Sequence, residues 1–383
     1  MAPLAKARVA TSVAFLLFGT ALGAWTARIP AIKRNLDLTD GQLSIALLAF
    51  AAGAITGMQV AGRLADRRGS ASVLVPAAIV EGLGLVSTAY APSLLILSLS
   101  LFIFGGTHGA LNIAMNTNGV EVQRAWGRPI LTSFHAIYSV GGFLGAAIGG
   151  VFAHFGFGPR ATFISVGALV AVLALWSWAW LLRQPPVAPE VPAATAAGPQ
   201  RTKSVFFLGV LAFCCLVGEG AAADWSTVYV RDNLGSSAGF AAAAYAAFSL
   251  AMVAGRLTGD ALAARFGAVA LVRASALLAA SGLAIALAVP DPIAGVVGFG
   301  FLGAGLACIA PQVFSAAGNR DPARAGQALA RVAGMGYAGF LVGPVVIGGV
   351  AQLSSLRWAL IVPVVLTVFV AVTAAALRGR RLL

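Results

Sequence analysis

Glu219 and Asp224 stand in an otherwise apolar run, GVLAFCCLVGEGAAADWSTVYV, and Glu81 stands alone in another. A carboxylate among hydrocarbon is costly until a proton or counter-charge neutralises it, so all three are candidates for carrying a proton. At ~1.5 Å per residue from Val205, a helix would place Glu219 ~21 Å and Asp224 ~28 Å along it, past the middle and near the far edge. Glu219 is the better proton carrier. Asp224 reads equally as a gate or as a polar anchor beside water, and Glu81 as a coupling acid or a protonated structural acid. His108, Asn112 and Asn116 are spaced by four, which stacks them on one helical face. Imidazole and amide groups suit direct hydrogen bonds to the hydroxyls, amides or carboxylates of a small polar solute. His135 and Ser139 repeat that spacing, although His135 alone also fits a simple interhelical hydrogen bond. Gln312 and Tyr337, with Trp25, Trp225 and Tyr245, would supply facing polar and aromatic walls.

The other chemistries have no residues to perform them. Cys214, Cys215 and Cys308 lie in apolar runs without metal-type spacing and read as small hydrophobes. The chain lacks a Walker loop, a zinc pattern, a nucleophile elbow and a dinucleotide fingerprint. No enzyme activity, no ATP-driven pumping, no metal and no cofactor are therefore expected.

The elements that must position these residues follow from composition. Of 383 residues, 60% are hydrophobic and only 10% charged, against about 45–50% apolar in a soluble domain even with glycine included. Windows of about 20 apolar residues, each long enough to cross a bilayer, recur twelve times. An all-α polytopic membrane protein with lipid as its solvent is the expected class. The first window resembles a signal peptide, but eleven further spans favour an uncleaved first helix. With the N-terminus inside, 19 of the 25 Lys and Arg fall on inner segments and 6 on outer ones. That bias places both termini in the cytoplasm. The net charge of +13 is thus a topology signal, with no nucleic acid implied. Residues 184–203, rich in Pro and Ala, read as a cytoplasmic linker between a six-helix bundle over 1–183 and another over 204–383.

The two halves repeat each other. Met58-x-x-x-Gly62-Arg63-Leu64-Ala65-Asp66 closes span two, and Met252-x-x-Gly255-Arg256-Leu257-x-x-Asp260 closes span eight. Gly141-x-x-x-Gly145-x-x-x-Gly149 in span five recurs as Gly339-x-x-x-Gly343 with Gly348 in span eleven, and Trp25 recurs as Trp225. Nearly constant offsets imply a duplicated unit. The glycines fit close helix packing. At the cytoplasmic end, Gly62 would allow close approach, Asp66 would accept from the free N–H groups of a helix start, and Arg67 or Arg68 would pair with Glu121.

Gly62-Arg-Leu-Ala-Asp66-Arg67-Arg68-Gly69, between spans two and three of a 6+6 chain, resembles the loop signature of the major facilitator superfamily. The resemblance covers the whole membrane portion. The stretch from Asn112 through Glu121, Gly127-Arg128-Pro129, His135 and Ser139 is similar to bacterial permeases distantly akin to the fucose-permease group. It implies a fold of two pseudo-symmetric six-helix bundles. It also implies a cytoplasmic gate of Gly62, Asp66, Arg67, Gly69, Glu121 and Arg128, echoed by Gly255, Arg256 and Asp260. Two features depart from relatives: spans one and four lack membrane acids, and span five lacks the internal Pro of drug antiporters, while Pro344 sits in span eleven. The expected protein is a monomeric bacterial inner-membrane secondary transporter of a small polar organic solute, proton-coupled, working by alternating access. A drug or metabolite efflux antiporter with a hydrophobic cavity and a non-transporting sensor are the alternatives.

Overall fold

In the computed structural model, which describes residues 3–127, 130–183, 199–320 and 325–378, the apolar windows become helices. They are α1 (Pro3–Asn35), α2 (Asp40–Arg68), α3 (Ser70–Thr88), α4 (Leu94–Trp126), α5 (Leu131–His154), α6 (Pro159–Ser177), α7 (Pro199–Val228), α8 (Ala238–Phe266), α9 (Ala268–Ala288), α10 (Pro292–Leu306), α11 (Ile309–Arg320), α12 (Ala325–Leu353), α13 (Leu356–Ala359) and α14 (Ile361–Thr373). Twelve spans are long and apolar enough to cross a membrane, with α10 and α11 sharing one and α13 and α14 another. The described residues contain no strand. Large apolar side chains such as Leu83, Val172, Leu257 and Val372 are exposed around the bundle, where hydrocarbon would cover them. Helix α7 begins at Pro199, inside the segment expected to be linker, most of which lies outside the described residues.

Helix boundaries repeat with the period of the halves. Thr39 caps α2 through a reciprocal bond with Gln42, and Ser237, 198 positions later, caps α8 at Phe240. Ser93 caps α4, and Asp291, again 198 later, caps α10 with Pro292 at its first turn. Gly69 (φ +83°) and Gly267 (φ +79°), another such pair, join α2 to α3 and α8 to α9 with one residue each. Only glycine accepts that left-handed conformation cheaply. Packing repeats as well. Helix α1 lies on α5 as α7 lies on α12, and α2 lies on α4 as α8 lies on α10. The α1–α5 seam is backbone on backbone: a Cβ on Gly141 would strike the carbonyl of Leu16, and one on Gly19 the carbonyl of Tyr138.

The halves meet along α5 with α8 and along α2 with α12. Toward the end where α1 stops and α2 starts, several bonds tie them. Asp232 accepts from Lys33 Nζ (3.2 Å) and Arg34 Nη1 (3.5 Å). Thr227 Oγ1 donates to the Thr26 carbonyl (2.8 Å), Ser44 Oγ to the Pro344 carbonyl (2.7 Å), and Gly41 N–H to Gln352 (3.1 Å). At the end that carries the chain termini, no hydrogen bond or ion pair joins described side chains of the two halves. The Asp232 pairs are only partly buried and are worth about 0.2–1 kcal/mol each. Asp232→Asn should therefore open that end a few-fold more often, read as faster thiol labelling of a Ser44→Cys reporter, and added salt should shrink the difference.

Span seven does not stop at residue 229. A π turn over Tyr229–Asn233 continues α7, so the span runs Val205–Asn233. Glu219 thus lies at its midpoint, fourteen residues from either end, and not beyond the middle as the shorter window implied.

Candidate functional site

At that midpoint Glu219 meets Arg256 of α8, with Arg256 Nη2 3.7 Å from Glu219 Oε2. Both side chains are about 15% exposed, so each is the other's main neutralising charge. Arg256 Nη1 donates to Ser139 Oγ on α5 at 2.8 Å, which carries the network across the seam between halves. Its guanidinium carbon also lies 6.0 Å from the Tyr138 ring centre, at the edge of cation–π range. The hydroxyl groups of Tyr138, Tyr245 and Ser249 lie close together beside this pair, and Cys215 Sγ approaches the second Glu219 oxygen at 3.8 Å. A second bridge stands beside the first. Tyr337 Oη of α12 donates to Asn112 Oδ1 of α4 (3.4 Å), and Asn116 Nδ2 donates to the same oxygen (3.3 Å) and to the Asn112 carbonyl (2.9 Å). Asn112 uses its oxygen twice and keeps its amide N–H groups for another partner. The arrangement can donate to or accept from a polar solute on several sides, and it holds one ion pair that a proton on Glu219 would dissolve.

The sequence-predicted residues divide three ways. Asn112, Asn116, His135, Ser139, Tyr245, Tyr337 and Glu219 come together here, with the His135 ring edge-on to Phe15 and in electrostatic range of Arg256. Asp224 is partly buried within electrostatic range of Tyr245, and it has no hydrogen bond or ion pair with a described residue. Gln312, half-buried on α11, likewise bonds no described residue.

Others lie elsewhere. Trp25 is buried in the first half against Phe104 and Phe163, and Trp225 is fully buried with its indole N–H unpartnered, so neither forms an open wall. His108 turns away to Glu81 of α3. Each step of four advances 40° past a full turn, so His108 and Asn116 point about 80° apart despite their regular spacing.

The expected gate is also redistributed. Arg256 belongs to the central cluster, because eleven residues from Tyr245 place it on the face that carries Ser249. Gly255 packs α8 against Ala304 of α10 and Ala307 just after it. A Cβ on Gly62 would meet open space; the close approach of α2 to α4 occurs earlier, at Gly53 and Gly57. Glu121 accepts from Ser70 Oγ (2.8 Å) and Asn118 Nδ2 (3.3 Å) within its own half, while Arg67 is exposed. Gly69 serves as the α2–α3 joint. Arg128 and the side chains of Asp66 and Asp260 lie outside the described residues. Sequence reading passed over Tyr138 and Ser249, although Tyr245, Ser249 and Arg256 share one helical face.

Comparison with known proteins agrees with this architecture. A family model of the Major Facilitator Superfamily matches residues 10–318 and 207–382. An uncharacterized transporter of Sinorhizobium fredii is 34% identical over 373 residues, covering 95% of this chain and 96% of its own. An uncharacterized MFS-type transporter of Yersinia pestis is 33% identical over 351 residues, covering 91% and 90%. Among solved structures, a mutant of the nucleoside transporter NupG superposes with a TM-score of 0.76 at 16% identity, covering 98% of this chain and all of that one. Duplicated six-helix packing, twelve spans and these relatives give one conclusion: the chain belongs to the Major Facilitator Superfamily of membrane transporters.

Proposed function

We propose that this chain is a secondary active transporter that moves a small polar organic solute across the bacterial inner membrane by alternating access, with proton movement coupled through Glu219. The observation that supports it most is the Glu219–Arg256–Ser139 network, a charge pair at mid-span whose arginine also bonds the opposite half. While Glu219 is ionised it holds Arg256. A proton on Glu219 cancels that attraction and frees the guanidinium for the solute or for a different alignment of the halves. Asn112, Asn116, Tyr138, Tyr245 and Tyr337 line the same region and supply hydroxyl and amide groups rather than a plain apolar wall. That lining favours a polar solute over a promiscuous hydrophobic one. Asp224, within electrostatic range of Tyr245, is a second acid available for coupling. Both halves of the site come from one chain, so a monomer suffices, and the 19-to-6 bias in basic residues supports cytoplasmic termini.

The test begins with purified protein in detergent, screened by thermal shift against sugars, nucleosides, amino acids and amines. Hits are then carried into proteoliposomes. Glu219→Gln should leave solute exchange down its own gradient and abolish accumulation driven by a pH gradient. Undiminished proton-driven accumulation in that variant would remove Glu219 from coupling, and no flux of any hit under any gradient would overturn the transporter itself.

A further inference from the structure

A second ionisable pair lies wholly inside the first half, away from Arg256 and Glu219. Glu81 of α3 is fully buried, and its Oε1 is 2.5 Å from His108 Nδ1 of α4. Its other oxygen, Oε2, is buried with no hydrogen-bond partner among the described residues. The imidazole is held from its faces. Phe18 of α1 stacks on it with ring centres 3.7 Å apart and planes 13° off parallel, and Phe50 of α2 stands 5.5 Å away.

Among the described residues no other charge answers this pair. On α1, Arg8 and Arg28 are each ten residues from Phe18, about 15 Å along the helix. Asp40 and Arg63 on α2 and Glu121 on α4 are at least as far along their helices from Phe50 and His108. Arg160 of α6 donates to the Ala89 carbonyl just past the end of α3, and Lys6, Lys33, Arg34, Arg67, Arg68 and Arg124 likewise lie in the terminal turns of their helices. On α5, Tyr138 meets Phe18 and His135 meets Phe15.

Proton counting then restricts the states. A neutral imidazole beside an ionised carboxylate leaves one net negative charge in hydrocarbon, which is costly. One added proton makes the pair neutral, whether it resides on His108 or on Glu81. The His108 side chain keeps 9% of its surface accessible, one turn from Asn112, which bonds Tyr337 of the other half. The carboxylate itself has no accessible surface. A proton reaching Glu81 therefore has His108 as its route.

We propose that Glu81 and His108 form a second proton-binding site, held in the first half and exchanging one proton with the central region through His108. In the loading step a proton from water bonds to His108 Nε2 while Nδ1–H passes to, or stays shared with, Glu81 Oε1; release reverses it. The ring stacked on Phe18 would pass the charge state to α1, which packs on both α5 and α7. The proposal rests on the transporter reading for its purpose, but its test requires no solute.

The chain has only three histidines, so nitrogen-15 spectra of histidine-labelled protein in nanodiscs resolve each ring. His108→Asn assigns the signal. In wild type the His108 signal should change charge state or tautomer across the pH range in which the protein stays folded. With Glu81→Gln it should stay in one neutral form over that range, because a buried imidazolium then lacks its counter-charge. Glu81→Asp, which keeps the carboxylate, and Glu219→Gln should both retain the transition. A wild-type His108 locked in one neutral form at every pH, or an unchanged transition in Glu81→Gln, would overturn the site. Loss of solute flux with these spectra intact would instead count against the transporter reading alone.

Discussion

Arg256→Met, with Glu219 left in place, is expected to be among the most damaging single substitutions in this protein, costing about 3–5 kcal/mol of stability. The methionine fills much of the space of the arginine stem, so the loss comes from charge. Glu219 would keep only the weak Cys215 contact, at 3.8 Å, in a setting 14% exposed. The double variant Glu219→Gln with Arg256→Met should recover most of the deficit, since it removes the stranded charge together with its partner. Thermal unfolding in detergent measures both. A proton can replace the arginine as the neutralising partner, so the Arg256→Met deficit should shrink as pH falls, whereas the double variant should show no such dependence. Equal losses in the single and double variants would mean that Arg256 acts through packing and Ser139 rather than through Glu219.

Gly145→Leu should cost about 3 kcal/mol or more, at the upper end for overpacked sites, because both neighbours are backbone. A Cβ there would overlap the Thr20 carbonyl and lie 2.7 Å from the Ala24 nitrogen. Helix α1 would have to move away from α5 along a seam that also contains Gly19, Gly23 and Gly141. Gly349→Leu on α12 is the matched control. It is exposed, nothing lies within 4 Å of its Cβ position, and it should retain normal yield and thermal midpoint. A well-folded Gly145→Leu would show that the α1–α5 approach is looser than the backbone contacts indicate.

Much of the architecture is legible in the sequence. Twelve apolar windows, punctuated by capping residues and glycine joints, give the helices because an unpaired backbone in lipid has no other outlet. The 198-residue period of the helix caps also appears in the glycine pattern of spans five and eleven, while the loop signature and the Trp pair recur at offsets within a few residues of it. Membrane acids and regularly spaced amides also direct attention to the region where Asn112 bonds Tyr337 and where Arg256 joins Ser139 to Glu219.

Direction was harder to read. Spacing by four gathers residues near one face but lets them drift around the helix, which is why His108 departs toward Glu81 while Asn112 reaches Tyr337. Motif position misled in the same way. Arg256 sits in the second-half copy of a loop signature, but with a long side chain it turns inward to Glu219 at mid-span. Gly62 has the right identity for close packing and no neighbour to pack on.

Helix number, duplication and membrane residence are one-dimensional properties, set by how many apolar residues follow one another and how often the pattern returns. Pairing of charges is three-dimensional. Glu219 with Arg256 and Glu81 with His108 were settled only when helices far apart in the chain came to lie side by side, because at membrane depth each charge takes whatever neutralising partner the packing brings within reach.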